Sequence, residues 1–260
     1  MPVVLSTDLL AFYRDMTQRT LTVVDLETSG HKPPRSRAIE VSVLNANLKD
    51  GILNQETYLI NPKVFIPPII TNITGITQEM VDAAPLADEV WMKCLPLLEQ
   101  GTLTAHNIGF DYPFIRSEYA RLGIPFYRSH SEQFCTVKFA RLMLSELPSR
   151  SLPNLVKHFQ FPVGESHRAE ADTMACWLLA EMLLKEIANE DDEAVLAKIG
   201  QQLLSASDAA KIIGGSQKTA RSRLEEFGAE PYISRTGAPL YRRADIERIY
   251  WQKHQLSLSS

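Results

Sequence analysis

The chain has 260 residues, of which 45% are hydrophobic, 22% charged and 8% aromatic. This composition is typical of a globular protein and excludes a disordered chain, a collagen-like repeat and a disulfide scaffold. No run approaches the roughly 18 consecutive apolar residues of a membrane-spanning helix, and the N-terminus lacks the basic segment and apolar core of a signal peptide. We therefore expect a cytoplasmic protein that does not engage a membrane.

The cysteines are Cys94, Cys135 and Cys176, which lie far apart and form no C-x-x-C pair. Their odd number and wide spacing argue against a disulfide framework and against a zinc site. We expect them to be buried thiols in a reducing compartment.

The formal net charge of −4 is unevenly distributed along the chain. Residues 1–200 carry 18 Lys and Arg against 25 Asp and Glu, whereas residues 201–260 carry nine against six. An acidic body is thus followed by a basic C-terminal part. A polyanionic partner of the C-terminal part is therefore compatible with the negative total.

The first part of the chain predicts mainly strands. A short amphipathic helix near the N-terminus leads into an apolar strand over residues 21–24, which ends in acidic residues. Alternating apolar and polar residues over 38–48 and 54–60 predict two more strands, joined by a turn at Asp50-Gly51.

The second part predicts mainly helices. The Pro- and Thr-rich segment 61–77 is predicted to be a long surface loop, and a short apolar strand is predicted at 103–105. Apolar residues at helical spacing predict helices over 87–99, after Gly109, and over 137–146, 152–159 and 169–190. The fold class is therefore mixed α/β, with strands early and helices late.

The acidic run ANEDDEAVLAK at 188–198 is compatible with an exposed helical extension or with a linker between domains. Beyond it, the pattern predicts a helix, a Gly-Gly turn and a second helix, then a hairpin turning at Thr236-Gly237 and a final helix. The expected organisation is a domain over residues 1–190, a linker over 191–202, a small module over 203–254 and a flexible tail over 255–260.

The segment TLTVVDLETSG is an apolar strand that ends in Asp25 and Glu27. Because side chains alternate along a strand, both carboxylates point to the same side. Two carboxylates on the same side repel each other unless a divalent cation lies between them. The D-x-E pattern also occurs at 191–193 and 245–247, but only the first copy follows an apolar strand.

Two further segments have acidic residues in suggestive surroundings. Asp111 follows a short strand in AHNIGFDYPFIRSEYARLG and opens a helix, where an acid also stabilises the helix dipole. In ESHRAEADTMACWLL, His167 precedes Asp172 by five residues, which is equally compatible with an ordinary polar helix start. The same spacing separates His106 from Asp111, so spacing alone does not decide between these interpretations.

In order and surroundings, the three segments resemble the motifs of the DEDDh 3′→5′ exonuclease superfamily. That superfamily includes the proofreading epsilon subunit of bacterial DNA polymerase III, ribonuclease T and oligoribonuclease. The resemblance covers about residues 20–187 and includes all five signature residues, with the histidine of the "h" subclass. It implies a ribonuclease H-like domain, in which helices flank a mixed central sheet.

The resemblance also implies roles for individual residues. Two Mg²⁺ or Mn²⁺ ions would be held by Asp25, Glu27, Asp111 and Asp172, and such pairs of ions promote in-line phosphoryl displacement. His167 would accept a proton from the attacking water. The residues that would border the terminal nucleotide are Leu26, Thr28, Asn107 and Phe110.

The C-terminal module resembles the winged helix-turn-helix modules of excisionases and MerR-type regulators. In that interpretation SQKTARSRLEEF is the recognition helix and Ser216 is its N-cap. The basic residues that would face DNA are Lys218, Arg221 and Arg223 on the helix, and Arg235, Arg242 and Arg243 on the wing. The alternative is a module of the same fold that contacts protein.

The last residues resemble the short peptide by which many bacterial proteins dock on the replication sliding clamp. The matching residues are Gln255, Leu256 and Leu258, whereas Ser259 stands where that peptide has an aromatic residue. A frayed polar terminus is the alternative.

Taken together, these features predict a 3′→5′ exonuclease that acts on single-stranded or frayed DNA 3′ ends in proofreading or repair. Its expected partners are DNA, the catalytic subunit of DNA polymerase III and the sliding clamp. One alternative is an exoribonuclease that trims RNA ends, against which the DNA-type module argues. Another is a DNA- or replisome-binding adaptor with vestigial nuclease activity, against which the five intact signature residues argue.

Overall fold

The computed structural model describes residues 3–164, 167–234 and 236–258. Its internal contacts divide the chain into two compact units. The sheet unit comprises residues 16–139 and 148–185, and the helical unit comprises residues 3–15, 140–147 and 186–258. None of the described helices combines the length and the apolar character needed to cross a membrane.

The strands of the sheet unit form one mixed sheet in the order β3-β2-β1-β4-β5. Their bounds are β1 Leu21–Thr28, β2 Ala38–Asn47, β3 Gly51–Leu59, β4 Thr102–Ala105 and β5 Gln133–Cys135. The pairs β1–β2 and β2–β3 are antiparallel, whereas β4 is parallel to both β1 and β5. The predicted mixed α/β class with early strands is thereby confirmed.

The helices follow the predicted order with several additions. Their bounds are α1 Ser6–Met16, α2 Pro68–Thr74, α3 Gln78–Asp82, α4 Ala87–Leu98, α5 Ile108–Arg121, α6 Thr136–Met143, α7 Leu152–Phe159, α8 Ala169–Asn189, α9 Asp192–Gly200, α10 Ala206–Ile213, α11 Gln217–Glu226 and α12 Arg243–Leu258. The last residues of α6 and α8 are counted with the helical unit.

Alternation along β1 separates an apolar side of the sheet from an acidic side. Val24 and Leu26 belong to a buried cluster that includes residues of α4 and α5, among them Trp91. Asp25 and Glu27 therefore point to the opposite side of the sheet. The apolar packing of β1 thus sets the direction in which its two carboxylates project.

The segment 61–77 is not the surface loop that its Pro and Thr content predicts, because α2 lies within it. Pro68 occupies the first turn of this helix, and Gly75 ends it in a left-handed conformation with φ 71°. These are favourable positions for the two residue types. Ile66, Ile70 and Ile76 of the segment join a separate buried cluster with Ile39 and Val81, whereas Phe65, Ile69 and Ile73 are exposed.

The cysteines are buried and unpaired, as predicted. Burial raises the pKa of Cys94 to about 12 and also raises the pKa of Cys176. These thiols therefore stay protonated at neutral pH and pack as small apolar side chains.

The helical unit contains a small antiparallel sheet in the order β6-β8-β7. Its strands are β6 Leu203–Ser205, β7 Tyr232–Ile233 and β8 Pro239–Arg242. As predicted, α10 and α11 are separated by Gly214 and Gly215, and the side chain of Ser216 caps α11. Leu5 belongs to the same buried cluster as residues of α10, α11 and α12.

Residues 191–202, expected to be a linker with a helical extension as the alternative, contain α9. The Asp191 side chain caps this helix by accepting a hydrogen bond from the Ala194 N–H at 2.8 Å. Val195 and Ile199 are buried. The acidic residues of the run occupy the helix start, where they oppose the positive end of the helix dipole.

The segment predicted as a flexible tail from residue 255 is helical as far as Leu258, where α12 ends. Ser259 and Ser260 lie outside the described residues, and so do the side chains of residues 255–258. The clamp-binding assignment of Gln255, Leu256 and Leu258 therefore stays a prediction.

A buried ion pair connects the N-terminal segment to α12 within the helical unit. The Glu247 carboxylate accepts hydrogen bonds from the N–H and hydroxyl of Ser6, at 2.8 and 2.9 Å, and from the Arg243 guanidinium at 3.0 Å. The Arg243 and Glu247 side chains are 8% and 12% exposed. We expect Glu247→Ala to lower the free energy of unfolding by about 3 kcal/mol, because it leaves the Arg243 charge buried without this carboxylate.

The matched control is Asp245→Ala, which removes a half-buried partner of the exposed Arg248 on the same helix. This variant should lose less than about 1 kcal/mol, because solvent screens the pair. Urea unfolding followed by circular dichroism measures both values. Equal losses in the two variants would contradict a stabilising role for the buried pair.

Candidate active site

The four carboxylates predicted as metal ligands converge in the sheet unit. Asp25 and Glu27 lie near the end of β1, whereas Asp111 and Asp172 lie in the first turns of α5 and α8. Burial raises the pKa of Asp25 well above its usual range, and the charges of Asp111, Asp172 and Glu27 raise it further. The fold thus concentrates like charges from three separate elements.

Asp111 is positioned by the start of α5. Asn107 directly precedes this helix in a left-handed conformation with φ 93°, and Asp111 follows one turn later with 3% of its surface exposed. Burial raises the pKa of Asp111 to about 8, although hydrogen bonds from its own N–H and from the N–H of Leu26 favour the charged form. The influence of the Leu26 N–H on this pKa indicates that the Asp111 carboxylate lies near β1.

Glu27, His167 and Asp172 form a group in which the possible ligand atoms lie within 4.8 Å of one another. His167 is exposed and adopts a left-handed backbone conformation with φ 67°. The backbone N–H of His167 donates a hydrogen bond to Oδ2 of Asp172 at 3.0 Å. This bond holds the histidine backbone beside the carboxylates.

The pKa of Glu27 is raised to about 7, first by burial and then by the charges of Asp172 and Glu40, whereas the charge of Arg168 lowers it. Burial also raises the pKa of Asp172. A divalent cation would relieve this repulsion, and carboxylate oxygens are the ligands that Mg²⁺ and Mn²⁺ prefer. The donor set therefore fits such ions.

The four residues predicted to border a nucleotide lie next to these carboxylates in the sequence. The Leu26 side chain is buried, and the buried Thr28 hydroxyl donates to the Gly30 carbonyl at 2.7 Å. Asn107 is exposed and Phe110 is half-buried. Their contact with a nucleotide stays a prediction.

Glu40 and Arg168 are site residues that the sequence reasoning missed. The Arg168 guanidinium donates to the Glu40 carboxylate at 2.7 Å, and Glu40 is almost fully buried. The sequence does indicate Glu40, because this glutamate lies between Ile39 and Val41 in an apolar strand that is buried on both sides. A charged residue in such a strand requires a partner.

The basic residues predicted to face DNA differ in exposure within the helical unit. Lys218, Arg221 and Arg242 are exposed, and Arg223 is half-buried. Arg235 lies outside the described residues. The DNA contacts of the exposed residues stay a prediction.

Arg243 is a correction to the predicted wing, because it is only 7% exposed. Its guanidinium donates to the Gln202 side chain at 2.8 Å, to Glu247 at 3.0 Å and to the Val4 carbonyl at 3.2 Å. Since these groups occupy its donors, Arg243 serves the packing of the unit. The sequence pattern did not distinguish it from its exposed neighbour Arg242.

Comparison with known proteins places this site in a family. Residues 22–180 match the model of the Exonuclease family, RNase_T. The chain belongs to this family. It is thus a nuclease domain of the DEDDh exonuclease superfamily, whose members depend on divalent metals, and the predicted family membership is confirmed.

Two curated relatives of this exonuclease domain are PolC-type DNA polymerases III. The polymerase of Clostridium perfringens is 31% identical over 191 residues, which cover 73% of this chain and 13% of the relative. That of Caldanaerobacter subterraneus is 32% identical over 163 residues, which cover 63% and 11%. The exonuclease chain therefore spans only about a tenth of the length of these relatives.

Solved structures share the fold of the exonuclease domain. Escherichia coli exonuclease I, in a zinc-bound complex with single-stranded DNA, aligns with a TM-score of 0.59 and 19% identity over 66% of this chain and 42% of that chain. The nuclease domain of 3′hExo, a DEDDh family member bound to rAMP, aligns with a TM-score of 0.54 and 16% identity over 64% of this chain and 92% of that chain. The predicted mixed sheet with flanking helices is thus confirmed.

The raised carboxylate pKa values predict how pH affects the metal-free protein. Because these groups have a higher pKa in the folded state, that state binds more protons than the unfolded chain between about pH 4 and pH 8. The unfolding free energy should therefore fall as pH rises through this window. In EDTA, we expect a lower melting temperature at pH 8 than at pH 5.5, and a larger stabilisation by Mg²⁺ at pH 8.

The matched variant is Asp25→Asn, which removes one of the repelling charges. It should raise the melting temperature of the metal-free protein at pH 8 and weaken the stabilisation by Mg²⁺. Differential scanning calorimetry with and without Mg²⁺ measures both effects. A Mg²⁺ stabilisation that is independent of pH and unchanged in Asp25→Asn would contradict a metal site at these carboxylates.

Proposed function

We propose that this exonuclease acts in the 3′→5′ direction and releases nucleoside 5′-monophosphates from DNA 3′ ends. The observation that carries the proposal is the convergence of Asp25, Glu27, Asp111 and Asp172, with His167 beside them, in an Exonuclease-family domain. This donor set suits two divalent cations and a general base, the components of a metal-assisted phosphodiester hydrolysis.

In this proposal, the four carboxylates hold two Mg²⁺ or Mn²⁺ ions. When bound, such ions lower the pKa of a coordinated water and stabilise the charge that develops on the leaving oxygen. Asp111 is buried, and the nearby Leu26 N–H favours its charged form. Glu27 and Asp172 are half-buried and lie on the side that faces His167.

His167 would accept the proton of the attacking water. Its exposed side chain has a ring nitrogen within 4.8 Å of carboxylate oxygens of Glu27 and Asp172. Its backbone N–H donates a hydrogen bond to Asp172. The imidazole can therefore take up a proton at the site and release it to solvent. General-base catalysis of this kind contributes about 10²- to 10⁴-fold to the rate.

Two observations support DNA as the substrate. The PolC-type relatives are DNA polymerases III, and exonuclease I was solved with single-stranded DNA. We extend both to this chain and propose a role in proofreading or repair, with the polymerase III catalytic subunit and the sliding clamp as candidate partners. The 3′hExo domain bound to rAMP supports the competing exoribonuclease function.

Digestion of sequence-matched single-stranded DNA, mismatched primer-template and RNA with Mg²⁺ separates these two functions. We expect faster release of 5′-monophosphates from DNA and from the mismatched primer than from RNA. Product ladders from 5′-labelled strands report the direction of digestion. Equal rates on RNA and DNA would remove the preference for a role in replication.

The alternative function as an adaptor with vestigial nuclease activity predicts little or no hydrolysis by the unmodified protein. Comparison of its turnover with that of site variants tests this alternative directly. We expect Asp25→Asn to abolish detectable turnover and His167→Ala to reduce it by about 10²- to 10⁴-fold, because they remove a metal ligand and the general base. Single-turnover rates on a labelled oligonucleotide measure both. The matched control is Asp50→Asn in the exposed β2–β3 turn, which should retain the wild-type rate.

We further propose that residues 203–254 form a winged helix-turn-helix module that binds duplex DNA. Ala220 and Leu224 bury one face of α11, whereas the basic residues Lys218 and Arg221 are exposed on this helix. The exposed Arg242 at the end of β8 would extend the basic surface. A helix that is buried on one face and exposes basic residues on the other is suited to contact phosphates with its exposed face.

The combined variant Lys218→Ala and Arg221→Ala should weaken duplex binding, because each residue is proposed to neutralise one phosphate. Binding is measured with the full chain in EDTA, with Asp25→Asn to prevent digestion. The slope of the logarithm of the binding constant against the logarithm of the salt concentration should become shallower by about two units. Fluorescence anisotropy over a salt series measures this slope. Lys211→Ala on α10 is the control, and equal slopes in all three proteins would favour a protein-binding module.

A further inference from the structure

Glu40 is a fifth carboxylate at the acidic side of the sheet, outside the five signature residues. It lies opposite Glu27 in the antiparallel register of β1 and β2. Residues opposite each other in such a pair project to the same side. Glu40 therefore lies beside the metal-ligand carboxylates, and only 1% of its surface is exposed.

The Glu40 carboxylate binds the segment that leads into α8. It accepts hydrogen bonds from Nη2 of Arg168 at 2.7 Å, from Nε of Arg168 at 3.3 Å and from the Ala169 N–H at 2.9 Å. Ala169 is the first residue of α8, and the first N–H groups of a helix have no partner within it. A strand carboxylate thus caps the helix that carries Asp172.

The same segment carries His167, which directly precedes Arg168. A second strand also holds it, because the Gln55 side chain in β3 donates to the Glu170 carbonyl at 3.1 Å. Arg168 and the two residues that follow it therefore have partners on the sheet. These contacts hold the residues next to His167, and the backbone N–H of His167 is itself bound to Asp172.

Charge supplies a second reason for the pair. Glu40 adds to the repulsion among the site carboxylates, since its charge raises the pKa values of Asp25 and Glu27. Arg168 opposes this effect at Glu27. A guanidinium that binds Glu40 through two nitrogens offsets its charge and fixes geometry at the same time.

We infer that Glu40 and Arg168 are positioning residues for His167, which hold its segment on the sheet so that the imidazole stays beside Glu27 and Asp172. This inference rests on the proposed function, in which His167 is the general base. Of the proposed metal ligands, Asp25, Glu27 and Asp111 lie on β1 and α5, and only Asp172 lies on the helix that Glu40 caps. The pair therefore acts on the segment of the base rather than on substrate binding.

The first test measures kcat, KM and Mg²⁺ dependence of the full chain on single-stranded DNA. We expect Glu40→Gln and Arg168→Ala each to lower kcat about 10- to 100-fold, with KM and the Mg²⁺ midpoint within about twofold of wild type. The Arg168 side chain is 46% exposed, so Arg168→Ala keeps the test decisive where the buried Glu40→Gln does not fold. The double variant should be no slower than the slower single variant.

The second test places Arg168→Ala in the His167→Ala background. If the pair acts through His167, the added substitution should change the single-turnover rate by less than about twofold. Arg168→Lys should recover part of the wild-type rate, because it restores the charge without the two-nitrogen contact. The control Lys185→Ala breaks an exposed ion pair with Glu181 on the same helix and should leave all rates unchanged.

Two results would overturn the inference while leaving the proposed function intact. One is a wild-type kcat in Arg168→Ala. The other is an equal loss from Arg168→Ala with and without His167, which would indicate a general structural effect. A wild-type protein without metal-dependent nuclease activity, or a fully active His167→Ala variant, would instead overturn the proposed function and this inference with it.

Discussion

Mutual repulsion of the carboxylates at the end of β1 is the constraint on which the sheet unit depends. Unscreened like charges that are partly buried favour protonation or displacement of the side chains. Here the acids lie on secondary-structure elements that pack through other residues. For example, β1 and α5 carry three of the acids and bury their apolar residues in one cluster with α4. The free energy of apolar burial therefore offsets an arrangement that the acids alone would not adopt.

Two Arg–Glu pairs with buried carboxylates show how β2 connects to the helices that carry the acids. Glu118 of α5 binds the Arg37 guanidinium through both oxygens and receives the Ala38 N–H at 3.3 Å. Glu40 of β2 makes the equivalent set of contacts with the start of α8. Each pair combines an arginine with a backbone N–H, so each fixes direction as well as distance. The strand β2 thereby relates the positions of α5 and α8.

Prediction from the sequence succeeded where the deciding interactions are local. Alternation determined the side of β1 from which its acids project, and helical spacing located α4, α5 and α8. It failed where distant residues decide: α2 needs a cluster that includes Ile39, and the Glu40–Arg168 contact joins positions 128 residues apart. Likewise, burial of Arg243 depends on the N-terminal segment, whereas its basic neighbours suggested an exposed wing.

The hydrogen bonds between Ser6 and Glu247 span 241 residues of sequence. At synthesis rates of about 5 to 20 residues per second, the N-terminal segment leaves the ribosome on the order of ten seconds or more before its partner. All residues of the sheet unit, 16–139 and 148–185, are synthesised during that interval. The helical unit must close its longest loop last, so it is the later of the two to mature and the one whose apolar Leu5 stays uncovered longest.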